Sequence, residues 1–318
     1  MSVAPEFAII GAQKSATTFL QNVLQSHPGV FIPNGELATF EDPQYKDFDQ
    51  EEFASRFAPG ESATAVGLKR PSYLHEPAVA PRLAKHLPDL KLVVSLRDPI
   101  ERAISAYFHQ MRHSFAPVRD VNAGLQAILR GEWDQEYPRT SQIINYGQYH
   151  SQLSRYLQHY DSDRFFLTTY RSIKETPEDT LRALCGFLGI EKNHDLTEAV
   201  DGRSNKGVYS KARIRLIRLT NPVRFEYFYE GQRLRPRDDI GRLSHAFMRL
   251  VRGVDRRLVK PLVSNERPSL RPEVQAELAE YYRPDAEELR DDFDLDIDHW
   301  TVFSEQQFVL DNGCLSCA

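Results

Sequence analysis

Cysteine is scarce in this chain: three residues among 318. That number cannot build the disulfide framework of a small extracellular domain, and it implies a reducing compartment. Cys314 and Cys317 have C-x-x-C spacing, but no second pair or histidines stand in register, so they read as part of a tail rather than a zinc site. Long apolar runs are missing too, and none reaches the roughly 18 residues that a membrane span requires. The opening MSVAPEFAII has no basic n-region and leads straight into a strand pattern, so no signal peptide and a cytoplasmic location are expected. There is no internal repeat and no low-complexity linker. Positive charge is not in excess either: the formal net charge is −5, which argues against a polycation built for nucleic acid.

What is present is ordinary globular material, 41% hydrophobic and 27% charged, enough for one large α/β domain or two small ones. Residues 6–11 are a short apolar run closed by Gly11, the pattern of a buried strand. Phe19, Leu20, Val23 and Leu24 line one face of a helix over 16–26, stopped by HPG. Residues 65–69, KLVVSL at 91–96 and RFFLTTY at 164–170 read as further strands. Asp98 is a natural N-cap and Pro99 suits a first helical position, so a helix opens there. Residues 147–160 form another amphipathic helix, and TPEDTLRALCGFLGI forms a capped one that closes at Gly189. Alternating strands and helices predict a central parallel sheet flanked by helices, with ligands beyond the carboxyl ends of its strands.

Three stretches carry chemistry. GAQKSATT follows the first strand and opens a helix, so backbone N–H groups and the helix dipole favour an anion there. Lys14 adds positive charge, and Ser15, Thr17 and Thr18 add hydroxyls. The triphosphate loop of ATP and GTP enzymes needs a glycine directly before its lysine. Here Gln13 stands in that place and Lys14 comes three residues after Gly11, so the loop suits a single 5′-phosphate. SLRDPIERAISAY ends a strand with Arg97, placed for a bidentate phosphate contact, with Ser105 about two helical turns on. GRSNKGVYS at 202–210 combines Gly202, Asn205 and Gly207 with Arg203 and Lys206. Taken singly, each has an ordinary reading: a βα turn, a capped helix start, a surface loop. GAQKSATT, KRPSY and RDP all follow predicted strands and can converge on one crevice.

Together and in this order the motifs resemble the sulfotransferases that use 3′-phosphoadenosine 5′-phosphosulfate (PAPS), in the branch holding the heparan-sulfate and bacterial carbohydrate enzymes. GLKRPSYL, NYGQYHSQLSRYL and the stretch LRPEVQAELAEYYRPDAEELRDDFDLDIDHW add to it, and the resemblance covers roughly residues 6–210 and 268–300. It implies a P-loop-kinase-like three-layer sandwich and adenosine 3′,5′-bisphosphate (PAP) as product, with no metal needed. It implies Lys14 at the bond that breaks, Ser15, Ala16, Thr17 and Thr18 around the 5′-phosphate, and Arg97, Ser105, Arg203, Lys206 and Gly207 at the 3′-phosphate. Ala16 stands where glycine is usual, a change that costs little if φ is negative there; Val208 stands where arginine is frequent. Glu36, in PNGELATFED, matches the family's base although Gly35 replaces a lysine and Ala38-Thr39-Phe40 an aromatic pair. Lys69 of KRPSY matches a catalytic-site lysine. A histidine base, for which His75 and His109 are nearest, belongs to another branch, and His109 reads as a packing residue of its helix.

The expected layout is one domain over 1–300 and a tail over 301–318. Within the domain, 203–265 form a mostly helical basic insertion before the C-terminal helix. From Arg203 to Lys260 there are 16 Lys/Arg against 5 Asp/Glu, and from Pro261 onward 4 against 14, so the acidic segment is a natural partner for the basic one. Leu243, Phe247 and Leu250 alternate with arginines at helical spacing, which predicts a lid with its apolar face inward. The other reading is a surface for an anionic acceptor or for membrane headgroups. The activity expected is sulfuryl transfer to a hydroxyl of a glycan, lipid or small metabolite. The rivals are an ATP-dependent small-molecule kinase, which the missing triphosphate loop opposes, and a PAPS-binding protein without turnover, which the irregular GELATFED keeps open.

Overall fold

Alternation along the first strand sets the layers. Phe7 and Ile9 join the apolar cluster on one side of the sheet, while Ala8 and Ile10 join the cluster on the other. The computed structural model describes residues 4–191, 207–228 and 233–304. Its central sheet has five parallel strands: β1 (Phe7–Gly11), β2 (Val30–Phe31), β3 (Ala65–Lys69), β4 (Lys91–Leu96) and β5 (Phe165–Thr169), in the order β2-β3-β1-β4-β5. Helices α1 (Thr17–Ser26) and α6 (Pro177–Leu188) supply Leu20, Val23, Leu24, Leu181 and Leu184 to one face. The other face is covered by α2 (Val79–His86), α3 (Pro99–Arg112), α4 (Val121–Leu129), α5 (Tyr149–Leu157) and the long α9 (Pro272–Phe293). This is the parallel three-layer arrangement that the periodicities predict, and the strand and helix boundaries fall within a few residues of those expected.

Local chemistry explains the punctuation. Asp98 caps α3 by accepting from the Glu101 N–H at 2.9 Å. Gly189 closes α6 at φ 79°, a left-handed position that glycine adopts without steric cost. The last residue of β1, Gly11, is glycine because a Cβ there would lie 2.6 Å from the Leu74 side chain.

The crossover from β3 to β4 passes β1, so the loops after β3, β1 and β4 lie side by side at one sheet edge. Those loops are KRPSY, GAQKSATT and RDP. The sheet order therefore performs the convergence that strand-following motifs suggest.

The basic stretch departs from expectation. It contains α7 (Lys211–Arg218), an antiparallel hairpin of β6 (Phe225–Phe228) and β7 (Arg233–Pro236), and α8 (Arg242–Val254). On α8 only Met248 and Val251 are buried, while Leu243, Phe247 and Leu250 are exposed. The apolar face of α8 is thus not turned inward. Nor does the acidic C-terminal segment neutralise this one. Helix α9 packs on α3, α4 and α5. The basic residues pair instead with Asp255, Glu226, Glu41 and Asp120, and no ion pair among the described residues joins them to α9. The expected tail also starts late, because Thr301–Phe303 is a 3-10 turn with Val302 fully buried and Thr301 bonded to Asp98. Cys314 and Cys317 lie outside the described residues.

Candidate active site

The loop between β1 and α1 is tied down from below. The Ala12 N–H donates to the Ser95 carbonyl at 2.8 Å, the Ser95 hydroxyl donates to the Ser15 carbonyl at 2.6 Å, and an Arg97 N–H donates to the Lys14 carbonyl at 3.3 Å. Two residues without glycine's freedom hold left-handed backbone: Lys14 at φ 71° and Ala16 at φ 66°. The negative φ that would make Ala16 cheap is not what the fold requires. A Cβ in that region costs about 1–2 kcal/mol. Ala16→Gly is therefore expected to stabilise the protein by about 0.5–1 kcal/mol, the unfolded-chain entropy of glycine offsetting part of the relief. A denaturant midpoint that moves down instead of up would contradict it.

Cations crowd this loop. Burial lowers the Lys14 amine to a pKa of about 8, with Arg112, Arg97, Lys69 and Arg102 adding like-charge repulsion. Arg97 lies over the Tyr170 ring at 4.4 Å and donates to Glu101 through two nitrogens, at 3.1 and 2.9 Å. Glu101 also receives Arg267 at 2.9 Å. Positive groups gathered at the N-terminus of α1 fit an anion with more than one negative charge.

On the neighbouring loop the Lys69 ammonium, almost fully buried, donates to the Thr18 hydroxyl at 3.1 Å and pairs with Glu36 at 2.9 Å. Arg70 reaches Glu36 at 3.2 Å. The backbone that carries Glu36 is fixed by Tyr73, whose hydroxyl donates to the Leu37 carbonyl at 2.6 Å and accepts from the Phe40 N–H at 3.3 Å. Phe40 itself is buried against Phe48, Phe53 and Tyr73.

The structure thus brings Lys14, Ser15, Ala16, Thr17, Thr18, Arg97, Lys69 and Glu36 into one connected set of bonds and electrostatic contacts. Ser105 sits on α3, the helix opened by the Arg97 motif. Gly207 is held by an N–H of Asn265 that donates to its carbonyl at 2.8 Å, while Val208 packs on the core. Arg203 and Lys206 lie outside the described residues.

Two groups escaped sequence reasoning. The first is Glu41, buried at 3% exposure, which accepts two N–H bonds from Arg70 at 2.6 Å, a hydroxyl bond from Ser72 and an ion pair from Arg233 of β7 at 3.0 Å. No motif marks it. Its only signal is a second carboxylate five residues after Glu36. The second is His113, at the C-terminal cap of α3, whose ring centroid stands 4.6 Å from that of His109 and which lies, with His109, within electrostatic reach of Lys14. Burial, then Arg112 and Lys14, hold His113 down to about 3, and burial and Lys14 hold His109 well below the ordinary imidazole value. Their i, i+4 spacing, one turn beyond Ser105, was the available signal. His75 instead packs against the Tyr146 ring, centroids 4.1 Å apart and planes tilted by 35°, and burial lowers it to about 4. A cavity of 620 Å³ lined by Ser114, Tyr137, Arg218, Asn221 and Tyr227 opens next to this region. Tyr227 donates to the His113 carbonyl at 3.0 Å.

A family model described as Sulfotransferase domain matches residues 4–213. The bifunctional heparan sulfate N-deacetylase/N-sulfotransferase 4 of Mus musculus is 26% identical over 214 residues, which are 64% of this chain and 24% of the relative. The bifunctional heparan sulfate N-deacetylase/N-sulfotransferase 2 of Bos taurus is 28% identical over 217 residues, with the same coverage of 64% and 24%. This chain thus spans about a quarter of the length of the curated relatives it matches. A solved sulfotransferase from Alicyclobacillus acidocaldarius aligns with a TM-score of 0.62 at 20% identity, over 94% of this chain and 99% of that chain, a likeness of fold.

Proposed function

Because the chain belongs to the sulfotransferase domain family, we propose that it moves a sulfuryl group from PAPS to a hydroxyl of a carbohydrate or other small metabolite, with Glu36 as base. One observation carries this reading: Lys69 bonds to Glu36 and to Thr18 of the phosphate loop at the same time. A carboxylate that can take a proton and the cations that can receive a leaving phosphate therefore share one side chain.

When bound, PAPS supplies a sulfuryl group on its 5′-phosphate oxygen. The chain's own residues do the rest. Glu36 accepts the acceptor proton as the new O–S bond forms. Lys14 and Lys69 would face the phosphate oxygen released when the old S–O bond breaks, and being fixed beforehand they would need no reorganisation as charge develops. The loop hydroxyls of Ser15, Thr17 and Thr18 would orient the 5′-phosphate, and Arg97 with Ser105 would hold the 3′-phosphate. The cation cluster fits such a ligand, because its mutual repulsion is what a bisphosphate would relieve.

Linkage gives a test. The free Lys14 amine titrates near 8, and a bound phosphate favours its charged form, so its pKa rises on binding. From about pH 7, where the PAP phosphates are fully ionised, to about pH 8 the Lys14 charge leaves PAP affinity level, and affinity weakens as pH rises above about 8, with proton uptake on binding in that window. Calorimetry in buffers of different ionisation heat reads both. Tighter binding of ATP, dependent on Mg²⁺, would support the kinase instead.

Glu36→Gln is expected to lower kcat by roughly 10²–10⁴-fold with PAP affinity nearly unchanged. An unchanged kcat would remove Glu36 as base and turn attention to His109. An amine is the second acceptor reading, since the relatives named above are N-sulfotransferases. Parallel assays with amino-sugar and hydroxyl acceptors separate the two.

A further inference from the structure

We propose that α8 and the turns extending it to Leu262 form an interfacial anchor that seats the protein on an anionic lipid bilayer. The helix runs from Arg242 to Val254, continues as a π turn over Asp255–Val259 and ends in a 3-10 turn at Lys260–Leu262. Most of the large hydrophobic side chains that the described residues leave exposed stand on it: Leu243 at 88%, Leu250 at 64%, Leu258 at 60% and Leu262 at 84%, with Phe247 beside them. At about 100° per residue, Leu243, Phe247, Leu250 and Val254 fall in one line. That line borders the Met248 and Val251 face by which α8 is attached to the body.

The polar side of the same segment is cationic. Arg242, Arg249, Arg252, Arg256, Arg257 and Lys260 are exposed. The one carboxylate, Asp255, is bound by Arg213 at 2.9 Å. This patch is therefore opposite in sign to the chain, whose net charge is −5. Arginine and lysine stems extend along an apolar surface while their heads reach phosphate, and the leucines enter the acyl boundary beneath. Among the described residues no helix is long and apolar enough to cross a membrane, so the segment lies along the surface.

Two other occupants fit less well. A second copy of the chain, docked by two-fold symmetry, would set this row of cations against itself. A soluble sulfated polysaccharide would satisfy the arginines and leave the leucines in water. An anionic bilayer satisfies both.

Co-sedimentation of the full chain with phosphatidylglycerol-containing vesicles, and with pure phosphatidylcholine vesicles, tests this without any assay of turnover. Binding to the anionic vesicles alone is expected. It should fall about tenfold or more in Leu243→Ser/Leu250→Ser/Leu258→Ser, and comparably in Arg249→Ser/Arg256→Ser/Arg257→Ser, with added salt weakening the wild type. All these positions are exposed, so unchanged circular dichroism is expected of both variants. Wild-type vesicle binding by the leucine variant would overturn the proposal, as would capture of heparin that outcompetes vesicles and ignores the leucines. So would a dimer in sedimentation velocity that the leucine variant dissociates.

Discussion

Lys14→Met is expected to cut kcat/KM by roughly 10²–10³-fold while raising thermal stability. The two effects have one cause. Lys14 sits among Arg112, Arg97, Lys69 and Arg102, at a left-handed φ, with its amine pushed down to about 8 by burial and like charges. In the free protein its charge is therefore a cost to folding, at every pH below its depressed pKa. In the proposed transfer the same charge would face the oxygen released by the departing phosphate, where removing one fixed cation typically costs about 3–4 kcal/mol of barrier. Methionine keeps most of the stem and removes the ammonium, so the repulsion is relieved and the catalytic contribution lost. Steady-state kinetics beside a melting curve reads both halves. Retained turnover would place the phosphate elsewhere than this loop. Lost activity with lowered stability would mean that Lys14 supports the loop rather than the ligand.

Glu41→Gln is expected to destabilise the protein by about 3–5 kcal/mol, because it leaves Arg70 and Arg233 without their shared counter-charge inside the protein. Arg70 donates twice to Glu41 at 2.6 Å, and Arg233 brings the β6–β7 hairpin onto the same carboxylate. The arginine and Ser72 hydrogen bonds outweigh burial and hold the Glu41 carboxyl below the usual carboxylate range. By linkage its contribution is fully present above the ordinary glutamate pKa of about 4.5 and is lost as pH falls through the lower folded value. Wild-type stability should fall through that acid window more steeply than that of the variant. Denaturant titrations across the acid range measure this, and a loss under about 1 kcal/mol would show that water replaces the carboxylate without penalty. Arg233→Ala should cost less, because Arg70 still pairs with Glu41. It should act mainly on acceptor KM, since it frees the hairpin from the loop that carries Glu36.

The motif loops were legible because each is local. A strand that ends in glycine, a lysine three residues on and a run of small hydroxyl residues mark a strand–loop–helix junction with local signals, and α1 and β1 form where the pattern places them. Asp98 and Pro99 likewise announce a helix that the structure caps as expected. Glu41 was not legible. Its neighbours Arg70, Ser72 and Arg233 stand up to 192 residues away in sequence, and a buried carboxylate has no periodicity of its own. The outward orientation of α8 was not legible either, for a related reason. An amphipathic pattern gives the direction of an apolar stripe but not what covers it, and α8 is attached by a neighbouring line of residues.

By itself the sequence determined the parallel α/β core, the strand–loop–helix junction between β1 and α1 and the family, since these depend on short-range pattern and steric rule. The tertiary structure alone decided that Lys69 joins Glu36 to Thr18, that Glu41 gathers two arginines, and that Ala16 holds glycine's conformation. Charges and φ angles of that kind are set by what distant segments bring within a few ångströms, and only the folded chain brings them there.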